Sequence, residues 1–131
     1  MALDVVSVLV DDYDEAIDFF VGALDFTLDE DVATDDEGTA KRWVVVRPRD
    51  ATTGLLLSRA SGDDQVAAVG AQFAGKVGFI LRVDDFDAAY ERMDRYGVEF
   101  CESPRDEAYG RVVVFLDVAG NRWDLIGPRA T

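Results

Sequence analysis

The sequence predicts an α+β fold, two copies of a β-α-β-β-β module in one domain of 131 residues. Two observations predict it. The first is an internal repeat: Val10-Asp11-Asp12-Tyr13-Asp14-Glu15-Ala16 returns as Val83-Asp84-Asp85-Phe86-Asp87-Ala88-Ala89, each aligned pair 73 positions apart. Such a repeat is too large for a solenoid unit and too small for an independent domain, so it reads as half of one fold. The second is that strand-like and helix-like stretches follow in the same order around both copies. Residues 1–59 then form module one, 60–75 a linker and 76–131 module two, with room for a ligand where the two copies face each other.

Asp4 to Val10 is Val-rich and weakly alternating, which suits a buried strand. Asp11 or Asp12 caps the helix that follows, and Asp14 and Glu15 suit the positive end of its dipole. Ala16, Phe19, Phe20 and Ala23 share one face of that helix, which makes them core. Phe26 to Val32 is a second strand, Asp35-Asp36-Glu37-Gly38 a turn, and Arg42 to Arg47 a third strand. Its run Val44-Val45-Val46 is too continuous to show which side is buried. Pro48 to Thr53 turns the chain into a fourth strand, Gly54 to Ser58. The linker holds one short helical turn over 63–69.

Module two repeats the plan. Lys76 to Val83 is a strand, and Asp84 or Asp85 caps a helix whose inner face is Ala89, Met93 and Tyr96. Gly97 ends that helix, because only a residue without a Cβ takes the left-handed closing conformation easily. Val98 to Glu102 is expected as a strand, Pro104 to Gly110 as a turn and Arg111 to Asp117 as a strand. Ala119-Gly120-Asn121 is a tight turn before the last strand, Arg122 to Ile126. Arg111 follows Arg42 by 69 positions.

Charge narrows the partners. Between Met1 and Ala40 stand thirteen acids and no Lys or Arg, whereas the other fourteen acids and thirteen bases nearly cancel. The net charge of −14 therefore belongs almost wholly to residues 1–40. A field of that sign repels phosphate backbones and anionic bilayers, which argues against nucleic acid and membranes as partners. It suits solubility, adaptation to high salt, or the steering of cations. Cys101 is the only cysteine, so no intrachain disulfide can form. Residues 1–20 lack the basic start and long apolar run of a signal peptide, and no stretch reaches the ~18 apolar residues of a membrane span. A cytoplasmic protein is expected.

The doubled module, the paired capping motifs, Tyr109-Gly110-Arg111-Val112-Val113-Val114-Phe115 and Gly120-Asn121-Arg122-Trp123-Asp124-Leu125 together resemble one family. It is the vicinal oxygen chelate superfamily, which includes glyoxalase I, extradiol dioxygenases, and fosfomycin- and bleomycin-resistance proteins. The resemblance spans essentially the whole chain. It implies two curved mixed sheets lining a cleft, and twofold dimers. In metal-using members the ligands lie on the first and last strands of each module. Those places fall on Val5, Gly78, Leu56 and Asp124, so one of the four carries a possible ligand. The chain contains no His. A divalent ion needs about three protein ligands, and Ser7 and Ser58, two residues along from Val5 and Leu56, would be poor ones.

The resemblance therefore points to the bleomycin-resistance branch: a protein without a metal or other cofactor, binding a small, cationic or aromatic molecule. The alternative is a lyase, isomerase or dioxygenase of the same superfamily with atypical or absent metal ligands: either metal-free, with Asp124 and Tyr109 as acid–base groups, or holding a divalent metal. Strand periodicity places Val5, Ser7, Leu56, Ser58, Gly78, Ile80, Arg82, Arg122 and Asp124 on the candidate inner face. Trp43, Phe79, Phe100, Phe115 and Trp123 are near by in the strands, and Trp43 and Phe115 are taken as ligand walls. Asp124 is either the polar anchor or a carboxylate paired with Arg111 or Arg122. Tyr109 with Arg111 either clamps an anionic group or closes a turn. Glu102 and Asp106-Glu107 flank that turn and can pair with Arg105. Cys101 lacks a neighbouring base, so an inert role is expected over a nucleophilic one. The expected partners are a small-molecule ligand and a second copy in a homodimer.

Overall fold

The computed structural model describes residues 1–34 and 40–129, so the turn expected at Asp35 to Gly38 lies outside the described residues. The chain divides into two compact units, Met1–Val69 and Gly70–Thr131. Unit one contains β1 (Val5–Val10), α1 (Tyr13–Asp18), β2 (Thr27–Ala33), β3 (Arg42–Arg47), β4 (Gly54–Arg59) and α2 (Asp63–Ala68). Unit two contains β5 (Val77–Arg82), α3 (Phe86–Tyr96), β6 (Arg105–Glu107), β7 (Gly110–Leu116) and β8 (Arg122–Gly127). The sheets have matching orders, β1-β4-β3-β2 and β5-β8-β7-β6. In each, the first strand runs parallel to the last, and the remaining pairs are antiparallel. The repeated sequence thus folds twice into one topology.

Each helix begins where its repeat places a carboxylate. The Asp12 side chain accepts from the Glu15 N–H at 2.8 Å, and Asp85 accepts from Ala88 N–H at 3.0 Å. These acceptors satisfy N–H groups that the first helical turn leaves without partners. After Asp18 the first helix widens into a π-helical turn, Phe19–Ala23. That turn keeps Phe19, Phe20 and Ala23 buried. Phe19 and Phe20 meet edge to face at 5.3 Å.

One face of each sheet lies against its own helix. In unit one this face carries Val8, Val10, Val44, Val46, Leu55 and Leu57, all buried. Val45 is buried as well, although it points to the other side, which explains why the Val run showed no periodicity. In unit two the covered face carries Val113, Phe115, Trp123 and Leu125 against Phe86 and Met93. Phe79 and Trp123 approach to 4.4 Å, and Tyr90 stacks on Phe100 at 4.5 Å.

Three expectations need correction. Val98 to Glu102 is not a strand; only Phe100 bridges to Phe115, and Cys101 N–H and Leu116 N–H make single backbone bonds across this segment. The turn expected at Pro104 to Gly110 instead contains the edge strand β6. Tyr96 is 46% exposed and does not belong to the buried stripe of α3, which rests on Phe86 and Met93. Gly97 does end this helix, at φ 97°.

The acidic half is partly neutralised within unit one. Arg42 pairs with Asp14 at 3.0 Å and Asp31 at 2.7 Å, Arg47 with Asp4 and Asp29, and Arg49 with Asp25. The hydrogen bond to Asp31 is the main reason that the Arg42 guanidinium is held above its ordinary range.

Candidate functional site

Each sheet has a second face that its helix does not cover. In unit two this face is set by the cross-strand register. Asp124 on β8 lies between Ile80 on β5 and Val114 on β7, with Arg122 one place further out, opposite Leu116. Arg105 on β6 reaches the same face through its pairing with Val112. Ile80 is 65% exposed, unusual for a large apolar side chain. Asp124 is half-buried. Burial pushes its carboxyl above the usual range; the positive charge of Arg105 works against that shift, and the negative charge of Glu102 adds to it.

Arg105 organises the acids around this position. Its Nε donates to Glu102 at 3.1 Å and its Nη1 to Glu107 at 2.6 Å. Glu102 also accepts from the Val114 N–H at 3.2 Å, which ties the bracket to β7. Hydrogen bonds to the Tyr109 hydroxyl first, then to Glu107 and Glu102, hold the Arg105 guanidinium above its ordinary range. Asp124, Glu102 and Glu107 thus surround one arginine, and their combined charge exceeds it. Such a surface favours a cationic group with an apolar body.

A buried turn supports the site. The Asp117 carboxylate accepts from Ala119 N–H and Asn121 N–H, both at 2.9 Å, from Asn121 Nδ2 at 3.2 Å and from Trp123 Nε1 at 2.9 Å. This closes the Ala119-Gly120-Asn121 turn, and so fixes which residue of β8 stands opposite Val114.

In unit one the uncovered face carries Val5, Ser7, Leu56 and Ser58, with Val5 opposite Gly54 and Ser7 opposite Leu56. Trp43 lies on the same face, 40% exposed, and its Nε1 donates to Glu30 at 3.3 Å. These positions therefore fall where period-two alternation puts them. Ile80, Arg82, Arg122 and Asp124 do the same in unit two.

Two predicted positions do not. Phe115 is fully buried on the helix-covered face, with Trp123 5.7 Å away, so it is core and not a ligand wall. Gly78 sits at a register shift between Val77 and Phe79, and a Cβ there would meet the Phe73 ring at 2.3 Å. The place of a side chain at 78 is already filled by that ring. Nor does Asp124 pair with Arg111 or Arg122: Arg105 is the charge beside it. Sequence reasoning offered Glu102, Asp106 and Glu107 as partners of Arg105, of which Glu102 and Glu107 make the pairs, but it did not find their position next to Asp124, because β6 is only three residues long and carries no periodic signal.

The residues do not fit a divalent ion. Val5, Leu56 and Gly78 offer no ligand, and among the described residues no three His, Cys, Asp or Glu side chains stand close enough to share one. Also among the described residues, no helix is long and apolar enough to cross a membrane.

Residues 2–125 match the family described as Glyoxalase/Bleomycin resistance protein/Dioxygenase superfamily. An uncharacterized protein of Shewanella frigidimarina (strain NCIMB 400) is 44% identical over 122 residues, 92% of this chain and 89% of that protein. The crystal structure of UcmS2 superposes with a TM-score of 0.80 at 26% identity, covering 96% of this chain and 97% of that one. TnmS3, an antibiotic binding protein from Streptomyces sp. CB03234, superposes with a TM-score of 0.73 at 31% identity, covering 98% and 96%.

Proposed function

The chain belongs to the glyoxalase/bleomycin resistance protein/dioxygenase superfamily, and on that premise we propose that it binds a small molecule without a resident divalent metal, with Asp124 as the polar anchor. One observation carries this reading: the family's ligand positions hold Val5, Leu56, Gly78 and a single carboxylate, and that carboxylate is bordered by Ile80 and Val114. An apolar surface with one or two placed polar groups orients an organic ligand well and a metal poorly. Among the described residues Asp124 makes no hydrogen bond or ion pair, which leaves it available to a ligand's cationic or hydrogen-bonding group. The antibiotic binding named for TnmS3 supports a binder over a catalyst.

The ligand class is a small molecule with an aromatic or aliphatic body and a cationic nitrogen. Its body lies on the uncovered strand surface and its charge faces the Asp124, Glu102 and Glu107 carboxylates. A screen of aromatic amines by thermal shift, followed by calorimetry on the hits, tests this. Losing a hydrogen bond to a charged group is worth about 1.5–3 kcal/mol, so Asp124→Asn should weaken such a ligand roughly tenfold or more. Equal affinity in the variant would remove Asp124 from the site. A stoichiometric ion in protein purified without chelator would instead favour a metal-dependent lyase, isomerase or dioxygenase. The proposal includes a homodimer, which sedimentation equilibrium tests directly.

A further inference from the structure

The two units serve as controls for each other. In unit one the Tyr13 ring is flanked by two arginines: the guanidinium carbons of Arg42 and Arg59 lie 5.1 and 5.3 Å from its centroid. Asp14 and Asp31 then take up the hydrogen bonds of Arg42. Phe86 is the repeat of Tyr13, and Arg111 repeats Arg42 in lying over it, at 5.5 Å. Asp87, the repeat of Asp14, lines the same pocket but among the described residues makes no ion pair with Arg111, and Asp31 and Arg59 have no counterpart. The register puts Gly127 opposite Arg111, where unit one has Arg59 in line with Arg42. No acid reaches Arg111: among the described residues it makes no hydrogen bond or ion pair, and its Nε is fully buried without an acceptor. A pocket of about 300 Å³ stands at this spot, lined by Asp84, Asp85, Phe86, Asp87, Arg111 and Arg129, with Pro128 at its edge.

We propose that this pocket binds a small molecule carrying charges of both signs, a carboxylate together with a guanidinium or ammonium group. The carboxylate takes the place that Asp31 holds against Arg42. It accepts from the Arg111 guanidinium, whose face is stacked on Phe86 and whose N–H edge suits two-point binding of a carboxylate. The cation faces the Asp84 and Asp87 carboxylates; the place of Arg59 itself is closed, because a Cβ at Gly127 would meet Phe86 Cβ at 2.8 Å. Asp85 is occupied in capping α3. A buried donor without an acceptor is costly and uncommon in folded proteins, and the arginine that carries it lines a cavity at the small end of the ligand-pocket range. The three carboxylates oppose a simple anion, and the two arginines oppose a simple cation, so the pocket selects a molecule with both charges. This site lies on the helix-covered side of the second sheet, opposite Asp124, and does not depend on the function proposed above.

The probe is free L-arginine, titrated into the isotope-labelled protein and followed by backbone amide shifts. Amides of residues 84–88, 111, 127 and 129 should move and saturate at millimolar concentration. Sodium acetate and agmatine, which each carry charge of only one sign, should bind at least about tenfold more weakly. Arg111→Gln should lose about tenfold in affinity, and Arg111→Lys should not restore it, because an ammonium lacks the paired donors. The same spectra show whether each variant is folded. Absence of saturable shifts at these amides, or unchanged affinity in folded Arg111→Gln, overturns the proposal. Acetate or agmatine binding as tightly as arginine overturns the assignment of both charges.

Discussion

Replacing Asp117 by Asn should destabilise the second unit strongly, although the two side chains have nearly the same shape. Asp117 is 5% exposed and accepts four hydrogen bonds, two at each carboxylate oxygen. Asn keeps the oxygen that faces the Ala119 and Asn121 N–H groups. It turns the other oxygen into an NH2 facing two further donors, Asn121 Nδ2 and Trp123 Nε1. Each hydrogen bond to a charged group contributes about 1.5–3 kcal/mol, and neighbouring losses are not additive. A loss of about 3–4 kcal/mol is expected, or a Tm lower by about 10–15 °C for a chain of this size. Urea unfolding followed by far-UV circular dichroism measures it, a readout that needs neither tryptophan. Adding Trp123→Phe removes one of the stranded donors and should shrink the Asn effect by at least about 1 kcal/mol. A penalty below about 1 kcal/mol in the single variant would refute the argument that this carboxylate holds the turn.

Three further outcomes are expected. Asp124 has a raised folded-state pKa, so its ionised form is disfavoured in the folded protein; the penalty is absent below the unfolded value near pH 3.9 and develops as pH rises through the folded value. Asp124→Asn should therefore match the parent near pH 3 and equal or exceed its Tm at pH 7; a lower Tm at neutral pH would contradict this. The thirteen acids before Lys41 repel one another at low ionic strength. Raising KCl from about 0.1 to 1 M shortens the screening length from about 10 to 3 Å and should raise Tm by several degrees; a fall would mean that the Arg42, Arg47 and Arg49 pairs outweigh the repulsion. Asp12→Ala and Asp85→Ala should each lose about 1 kcal/mol in urea unfolding. Asp11→Ala and Asp84→Ala should lose much less, and equal losses would reassign the caps.

Much of the fold was legible because it rests on short-range rules. A carboxylate before a helix finds N–H groups within one turn. A strand alternates its sides whatever surrounds it. Repetition of both at one spacing announced the doubled module. Reading Val5, Ser7, Leu56, Ser58, Ile80, Arg122 and Asp124 onto one side of their strands needed nothing more than that alternation. Phe115 and Gly78 escaped it for different reasons. An aromatic in a strand looks alike whether it meets solvent or a helix, and the bulge beside Gly78 has no marker in its own sequence.

The sequence by itself determined the doubled architecture, the placement of the acidic charge, the helix caps and the lack of ligand residues at the family's metal positions. All of these depend on residue identity and local spacing. Only the tertiary structure decided that Arg105 is the charge beside Asp124, that Asp117 gathers four donors, and that Arg111 stands over Phe86 without an acid to meet it. Those relations join residues from different strands. They are set by cross-strand register and by the packing of a helix on a sheet, which no single segment encodes.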